Sequence, residues 1–293
     1  MAGHIVFDRK LLRARRRRAL ALGPATFLLD RAADDMAERL SAVLRKFEMA
    51  ADIGTPGDAV RRAIAARGLA GRIVAVDALP ESGAAVAGDE EALPIAEGSL
   101  DLAVSALALQ FVNDLPGTLL QIRRALKPDG LFLAALLGGD TLTELREAFA
   151  AAEIEIDGGV SPRVAPFADL RDAGALLQRA GFALPVTDVD RVTARYDSAF
   201  GLMHDLRRMG ATNALVERRR TPLRRATLFR MAEIYARRFA DTDGRLRATF
   251  DFVWLSGWAP HESQQRPLRP GSARARLADA LGTVEIPSGE KPR

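Results

Sequence analysis

Carboxylates that follow short apolar runs are the first residues in this sequence equipped for chemistry. Asp52 stands in Ala51-Asp52-Ile53-Gly54-Thr55-Pro56-Gly57-Asp58, an apolar segment that runs into a glycine turn. Asp77 closes a second apolar segment and is followed by Ala78, and Asp89 with Glu90 comes after a third. A glycine turn between a strand and a helix lets backbone N–H groups and the helix N-terminus approach a ligand carboxylate or phosphate. An acid at the tip of the next strand is suited to accept hydrogen bonds from ribose hydroxyls. Taken singly, each acid is an ordinary surface or capping residue; in consecutive order they favour a nucleoside-type ligand. A fourth apolar segment ends in Ser105-Ala106, and the stretch from Ser105 to Gln110 is placed to line the other end of such a pocket. Gln110 and Asn113 have the chemistry to orient a second substrate, and helix capping or loop hydrogen bonding as their alternative roles. Far along the chain, His261 with Glu262 offers a general base or substrate anchor; an adjacent pair of this kind in a loop is also a common surface feature.

Other chemistries are excluded by what is missing. The chain has no cysteine, so disulfides, iron–sulfur ligation and cysteine-based zinc sites do not arise. Its 3 histidines, His4, His204 and His261, are far apart, and no spacing supports a metal site. The longest apolar stretch, Leu100 to Val112, is interrupted by Asp101, Ser105 and Gln110, too short and too polar for a membrane span. The first ten residues lack the apolar core of a secretion signal. A soluble, cytoplasmic protein is expected, at most peripherally associated with a membrane. Charge is nearly balanced, 42 basic against 38 acidic residues over 293, and the basic side is almost all arginine. Arg13 with Arg15 to Arg18 forms one cluster, and Arg218 to Arg220 with Arg224 and Arg225 another. Without interleaved aromatics they read as solvated helix faces rather than a nucleic-acid surface.

The elements that must position these groups alternate. Apolar residues at helical spacing predict an amphipathic helix from Phe27 to Phe47. Strand-like segments follow at Met49–Ile53, Arg72–Asp77, Ala84–Ala87, Leu100–Leu107 and Leu131–Leu137, with helices predicted at Asp58–Arg67 and Leu115–Leu126. Strands alternating with helices imply crossovers and a parallel sheet covered on both faces, an α/β fold. Lys127-Pro128-Asp129-Gly130 reads as a turn in which the glycine takes φ > 0. Beyond residue 140 come helices at Thr141–Ile156 and Ala168–Ala180, a strand at Phe182–Val192, helices at Ser198–Met209 and Thr221–Phe239, and a last strand, Ala248–Ser256. This divides the chain into a basic extension over 1–25, a domain over 26–256 with helices inserted at about 198–240, and a tail over 257–293.

The ordered set of glycine turn, Asp77, Asp89 and Leu126-Lys127-Pro128-Asp129-Gly130 resembles the class I S-adenosylmethionine methyltransferases. The resemblance spans about residues 47–140 and implies a Rossmann-like, mostly parallel seven-stranded sheet with S-adenosylmethionine at the strand tips. It places Asp52, Gly54, Thr55 and Gly57 at the methionine part, Asp77 and Ala78 at the ribose, Asp89 and Glu90 at the adenine, and Ser105 and Ala106 along the pocket. One departure is plain: Pro56 and Asp58 stand where that family's turn has its second and third glycines, removing a donor and adding a negative charge.

Further blocks narrow the resemblance. Phe7-Asp8-Arg9, Gly138-Gly139-Asp140-Thr141-Leu142-Thr143-Glu144-Leu145-Arg146, Arg208-Met209-Gly210-Ala211-Thr212-Asn213 and Gly257-Trp258-Ala259-Pro260-His261-Glu262-Ser263-Gln264-Gln265-Arg266-Pro267 look like the methyltransferase-like complex I assembly factor family. That resemblance implies modification of an arginine on an iron–sulfur subunit of respiratory complex I, described for the family as hydroxylation. His261, Glu262 and Gln110 are then the candidate catalytic residues, with no metal and no nucleic acid expected. Two other readings stay open: an O-methyltransferase of the malonyl-acyl-carrier-protein type, and a non-catalytic assembly chaperone with a vestigial pocket.

Overall fold

Seven strands form a single sheet in the order β3-β2-β1-β4-β5-β7-β6 in the computed structural model, which describes residues 5–167, 170–265 and 277–284. The strands are β1 (Phe47–Ile53), β2 (Ala70–Asp77), β3 (Val86–Ala87), β4 (Leu100–Ala106), β5 (Leu126–Leu137), β6 (Ala183–Tyr196) and β7 (Leu246–Trp258). Pairings among β1 to β5 are parallel, whereas β7 runs antiparallel to both β5 and β6. This is the expected mostly parallel α/β sheet. The long apolar runs of β4 and β5 are buried because helices cover both faces. Alternate residues of β5 divide between the two cores: Leu131, Leu133, Ala135 and Leu137 on one side, Phe132, Ala134 and Leu136 on the other.

The first core packs against α2 (Phe27–Ser41), α3 (Ala59–Ala66), α5 (Thr143–Asp157), α7 (Ala199–Arg208) and α8 (Arg225–Phe239). The second packs against α4 (Leu115–Ala125) and α6 (Leu170–Arg179). Helix α2 stops at Ser41 instead of continuing to Phe47: Leu44 is wholly exposed, and Phe47 turns inward as the first residue of β1. Asp129, not Gly130, takes the left-handed conformation in the turn before the apolar part of β5. Gly130 is needed for space, since a Cβ there would lie 2.9 Å from the Lys127 carbonyl. Pro185 sits where the β6–β7 register shifts, as befits a proline at a sheet edge.

The basic N-terminal stretch is a helix, α1 (Arg9–Leu22), rather than a separate extension, and residues 1–260 form one unit. Asp8 caps α1 by accepting from the Leu11 N–H. Ahead of it, the Asn113 side chain accepts from the N–H groups of Val6 and Phe7, at 2.9 and 2.7 Å. Asn113 thus fastens the segment that precedes α1. The second unit, residues 261–293, contains the short helix α9 (Leu277–Leu281) and a turn in which His261 Nδ1 lies 2.7 Å from Ser263 Oγ. His4, Arg266 and Pro267 lie outside the described residues. Among the described residues, no helix is long and apolar enough to cross a membrane.

Candidate active site

The parallel strands all end at one edge, and their tips are tied together by side chains. Ser105 Oγ donates to the Ile53 carbonyl at 2.7 Å, and Thr55 Oγ1 accepts from the Ala106 N–H at 2.9 Å. These bonds hold the ends of β1 and β4 in register. Gly54, next in the chain, has φ +72° and donates to the Val76 carbonyl at 2.7 Å. A Cβ on Gly54 would stand 2.5 Å from Glu90 Oε1, so only glycine lets the turn meet the acid that arrives from β3. Gly57 also has positive φ, while Asp58 leads into α3 and its charge is balanced by Arg62 at 3.0 Å.

Above this turn lies a cavity of about 280 Å³, walled mostly by apolar side chains. Gly54, Pro56, Gly57, Asp58, Glu90 and Gln110 contribute from the strand tips, and Arg208, Met209, Gly210 and Ala211 from the end of α7. Leu107 and Leu142, both left-handed at φ 52° and 56°, also face it. Non-glycine residues held in that conformation cost energy and tend to gather at functional sites. Gln110 Oε1 is buried without a hydrogen-bond partner, an acceptor waiting for a donor in the cavity wall.

Of the residues expected to touch a ligand, Gly54, Gly57, Glu90 and Gln110 line the cavity. Thr55, Ser105 and Ala106 are buried ties between strands rather than wall. Asp52, 1% exposed, points one oxygen to Arg61 at 2.9 Å. Burial pushes its carboxyl up to about 6, against the pull of Thr55 and Arg61. Ala78 also lies outside the wall, where Leu79 stands instead. His261 and Glu262 belong to the second unit, residues 261–293, and are not among the residues that wall the cavity.

Asp77 and Asp89 are on the expected side of the molecule, but an unforeseen partner holds them. Arg16 reaches Asp77 with both terminal nitrogens, at 3.2 and 2.5 Å. Arg13 pairs with Asp89, and Arg9 with Asp89 at 2.7 Å and with Glu90. The three arginines sit four and three residues apart, on one face of α1. The run read as a solvated face instead covers the acids. Gly210 admits the helix: its φ is +71°, and a Cβ there would stand 3.0 Å from Arg16 Cα.

Comparison with known proteins fixes the family. A methyltransferase-domain model matches residues 51–134. The protein named arginine-hydroxylase NDUFAF5, mitochondrial, of Danio rerio is 35% identical over 290 residues, spanning 94% of this chain and 90% of its own length. The human protein of the same name is 36% identical over 301 residues, spanning 98% and 86%. The chain belongs to the NDUFAF5 family. A malonyl-[acyl-carrier protein] O-methyltransferase of Laribacter hongkongensis is 43% identical over 188 residues, but these span only 64% of this chain and 61% of that one. Among solved structures, the YcgJ protein of Bacillus subtilis matches with a TM-score of 0.51 at 16% identity, covering 77% of this chain and 98% of that one, a likeness of fold. The NDUFAF5 family is thus one of class I methyltransferase architecture.

Blocks singled out in this NDUFAF5-family sequence have structural positions around the cavity. In Gly138–Arg146, Thr141 Oγ1 accepts from the Asp251 N–H and Leu142 N–H donates to the Thr249 carbonyl, which pins the loop to β7 and turns Leu142 to the cavity. Buried Glu144 accepts from the Thr249 N–H and hydroxyl, completing the anchor. In Arg208–Asn213, Arg208 Nε donates to the Gly23 carbonyl at 2.7 Å and fixes the far end of α1. No cluster of three or more potential metal-ligating residues exists among the described residues.

Proposed function

We propose that this protein binds S-adenosylmethionine at the strand tips and modifies an arginine of a protein partner, an iron–sulfur subunit of respiratory complex I, during assembly of that complex in the cytoplasm or an organelle matrix. Membership of the NDUFAF5 family supports the assembly role, and the arginine-hydroxylase name of those relatives supports the arginine. The observation that carries the site is the cavity above Gly54, bounded by Glu90 and by the orphaned Gln110 oxygen. The residues fit the cofactor. Gly54 and Gly57 would supply the tight turn for its amino-acid end, and Glu90 would face it from the cavity wall, with Asp77 for the ribose hydroxyls and Asp89 for the adenine once released from the arginines that hold them. When bound, S-adenosylmethionine supplies an electrophilic sulfonium methyl.

The chain's own part is to align and desolvate. The leucines at 107, 137 and 142 exclude water from the cavity floor. Gln110 Oε1 accepts from an N–H of the acceptor, which a guanidinium provides and a carboxylate does not. The arginine in the name of relatives that span 94% of this chain, against 64% for the malonyl-carrier methyltransferase, favours an arginine acceptor over the malonyl-carrier reading. The test is mass spectrometry of the complex I iron–sulfur subunits purified with and without this protein. Loss of one modified arginine in its absence supports the proposal. Unaltered subunits together with methylation of a malonyl carrier would replace it with the O-methyltransferase reading, and unaltered subunits with failed complex I assembly would replace it with a chaperone.

A further inference from the structure

The cavity wall contains Arg9 and Arg16 but neither Asp77 nor Asp89: the guanidinium groups stand between these acids and the cavity. Asp77 is 2% exposed, Arg16 engages both its oxygens, and Oδ1 also accepts from the Leu79 N–H at 2.9 Å. Its hydrogen-bonding directions toward the cavity are therefore taken by a cation of the same chain. Asp89 is shared between Arg9 and Arg13, and its Oδ1 further accepts from the Glu91 N–H. The helix that carries the arginines is held at both ends, by Asn113 and Asp8 before it and by Arg208 after it. Between those anchors only Leu12 and Ala19 are buried, so little apolar packing restrains the arginine-bearing face.

We infer that Arg9, Arg13 and Arg16 set the affinity of the cofactor site by competing with the ligand's ribose and adenine for Asp77 and Asp89. The inference rests on the S-adenosylmethionine reading given above. Binding exchanges each arginine–carboxylate pair for hydrogen bonds from the ligand, while α1 stays anchored and its long side chains swing away. The binding-competent state is the one with the arginines withdrawn, and apparent affinity is reduced by the fraction of time the site spends in that state. Arg16 dominates because its pair is bidentate and the more buried of the two. Ionic strength enters with an unusual sign. Salt weakens the more exposed Arg13–Asp89 pair, whereas S-adenosylhomocysteine carries no net charge, so added salt promotes binding.

The experiment is calorimetric titration of the full chain with S-adenosylhomocysteine, for wild type and Arg16→Gln, at low and high sodium chloride. The expected result is binding about tenfold tighter for Arg16→Gln, the change for a site open about a tenth of the time, and an affinity that rises with salt in both proteins, since both keep the more exposed Arg13–Asp89 pair. A purely structural role for Arg16 would weaken binding or leave it alone. Measurable binding that is unchanged or weaker in Arg16→Gln overturns the competition and leaves the cofactor assignment standing; absence of binding by both proteins overturns the two together. Should Arg16→Gln lose its folded circular dichroism, Arg13→Gln substitutes for it. That side chain is more exposed and pairs with Asp89; a smaller tightening supports the inference, and none refutes it.

Discussion

Acidification tests the buried carboxyl at the tip of β1. Asp52 is 1% exposed, and burial raises its pKa from an ordinary 3.8 to about 6. A carboxyl whose folded pKa lies above its unfolded value holds its proton more tightly in the folded state. Its contribution to stability is complete below pH 3.8 and is lost as the pH rises through about 6. The full shift corresponds to about 3 kcal/mol at about 1.4 kcal/mol per unit. Between about pH 7 and about pH 4.5 the folded protein regains about 2 kcal/mol of it. Asp52→Asn removes the titration while keeping the shape. The variant leaves Arg61 without its carboxylate partner, but arginine is charged at both pH values, so that loss cancels in the comparison. Carboxyls held below their ordinary values, such as Asp101 beside Lys127 and Glu153 beside Ser161 and Arg163, are common to both proteins and cancel as well. Urea unfolding of both proteins at the two pH values gives the double difference. Wild type should gain about 2 kcal/mol over Asp52→Asn on acidification. Equal responses of the two proteins would show that Asp52 does not titrate in this window and that its burial has been misread.

Gly54→Ala places a Cβ 2.5 Å from Glu90 Oε1 at a φ of +72°; it should destabilise by about 1–3 kcal/mol in thermal melts and abolish S-adenosylhomocysteine binding by calorimetry. Asn113→Ala removes the acceptor of the Val6 and Phe7 N–H groups, and hydrogen exchange at those two amides should accelerate while β4 and β5 stay protected. Glu144→Ala strands the Thr249 N–H beside buried α5, costing about 1–3 kcal/mol in urea unfolding, with the pinned Leu142 loop as the first region to exchange.

Much of the parallel sheet was legible because buried strands read as continuous apolar runs and end in polar turns. Asp77 and Asp89 could be placed by that logic alone, as could the glycine turn. The docking of helix α1 on the acids escaped because its packing is electrostatic. The spacing of Arg9, Arg13 and Arg16 marks one helix face, but their partners lie 61–81 residues away and no local pattern pairs them. Ser105 and Thr55 were assigned to the ligand on position; the fold spends their hydroxyls on joining strands, a use that only the register reveals. The overlong reading of α2 came from Leu44 and Phe47, which continue the apolar spacing past Ser41 although one is solvated and the other belongs to β1.

The central claim is that a nucleoside seats against Asp77 at the tips of β1 and β2. A crystal structure of the full chain with S-adenosylhomocysteine tests it most directly. The account predicts the ribose hydroxyls on Asp77, with the Arg16 guanidinium displaced, and the amino-acid end over Gly54 and Gly57. A ligand bound elsewhere, with the Arg16–Asp77 pair intact, would contradict it.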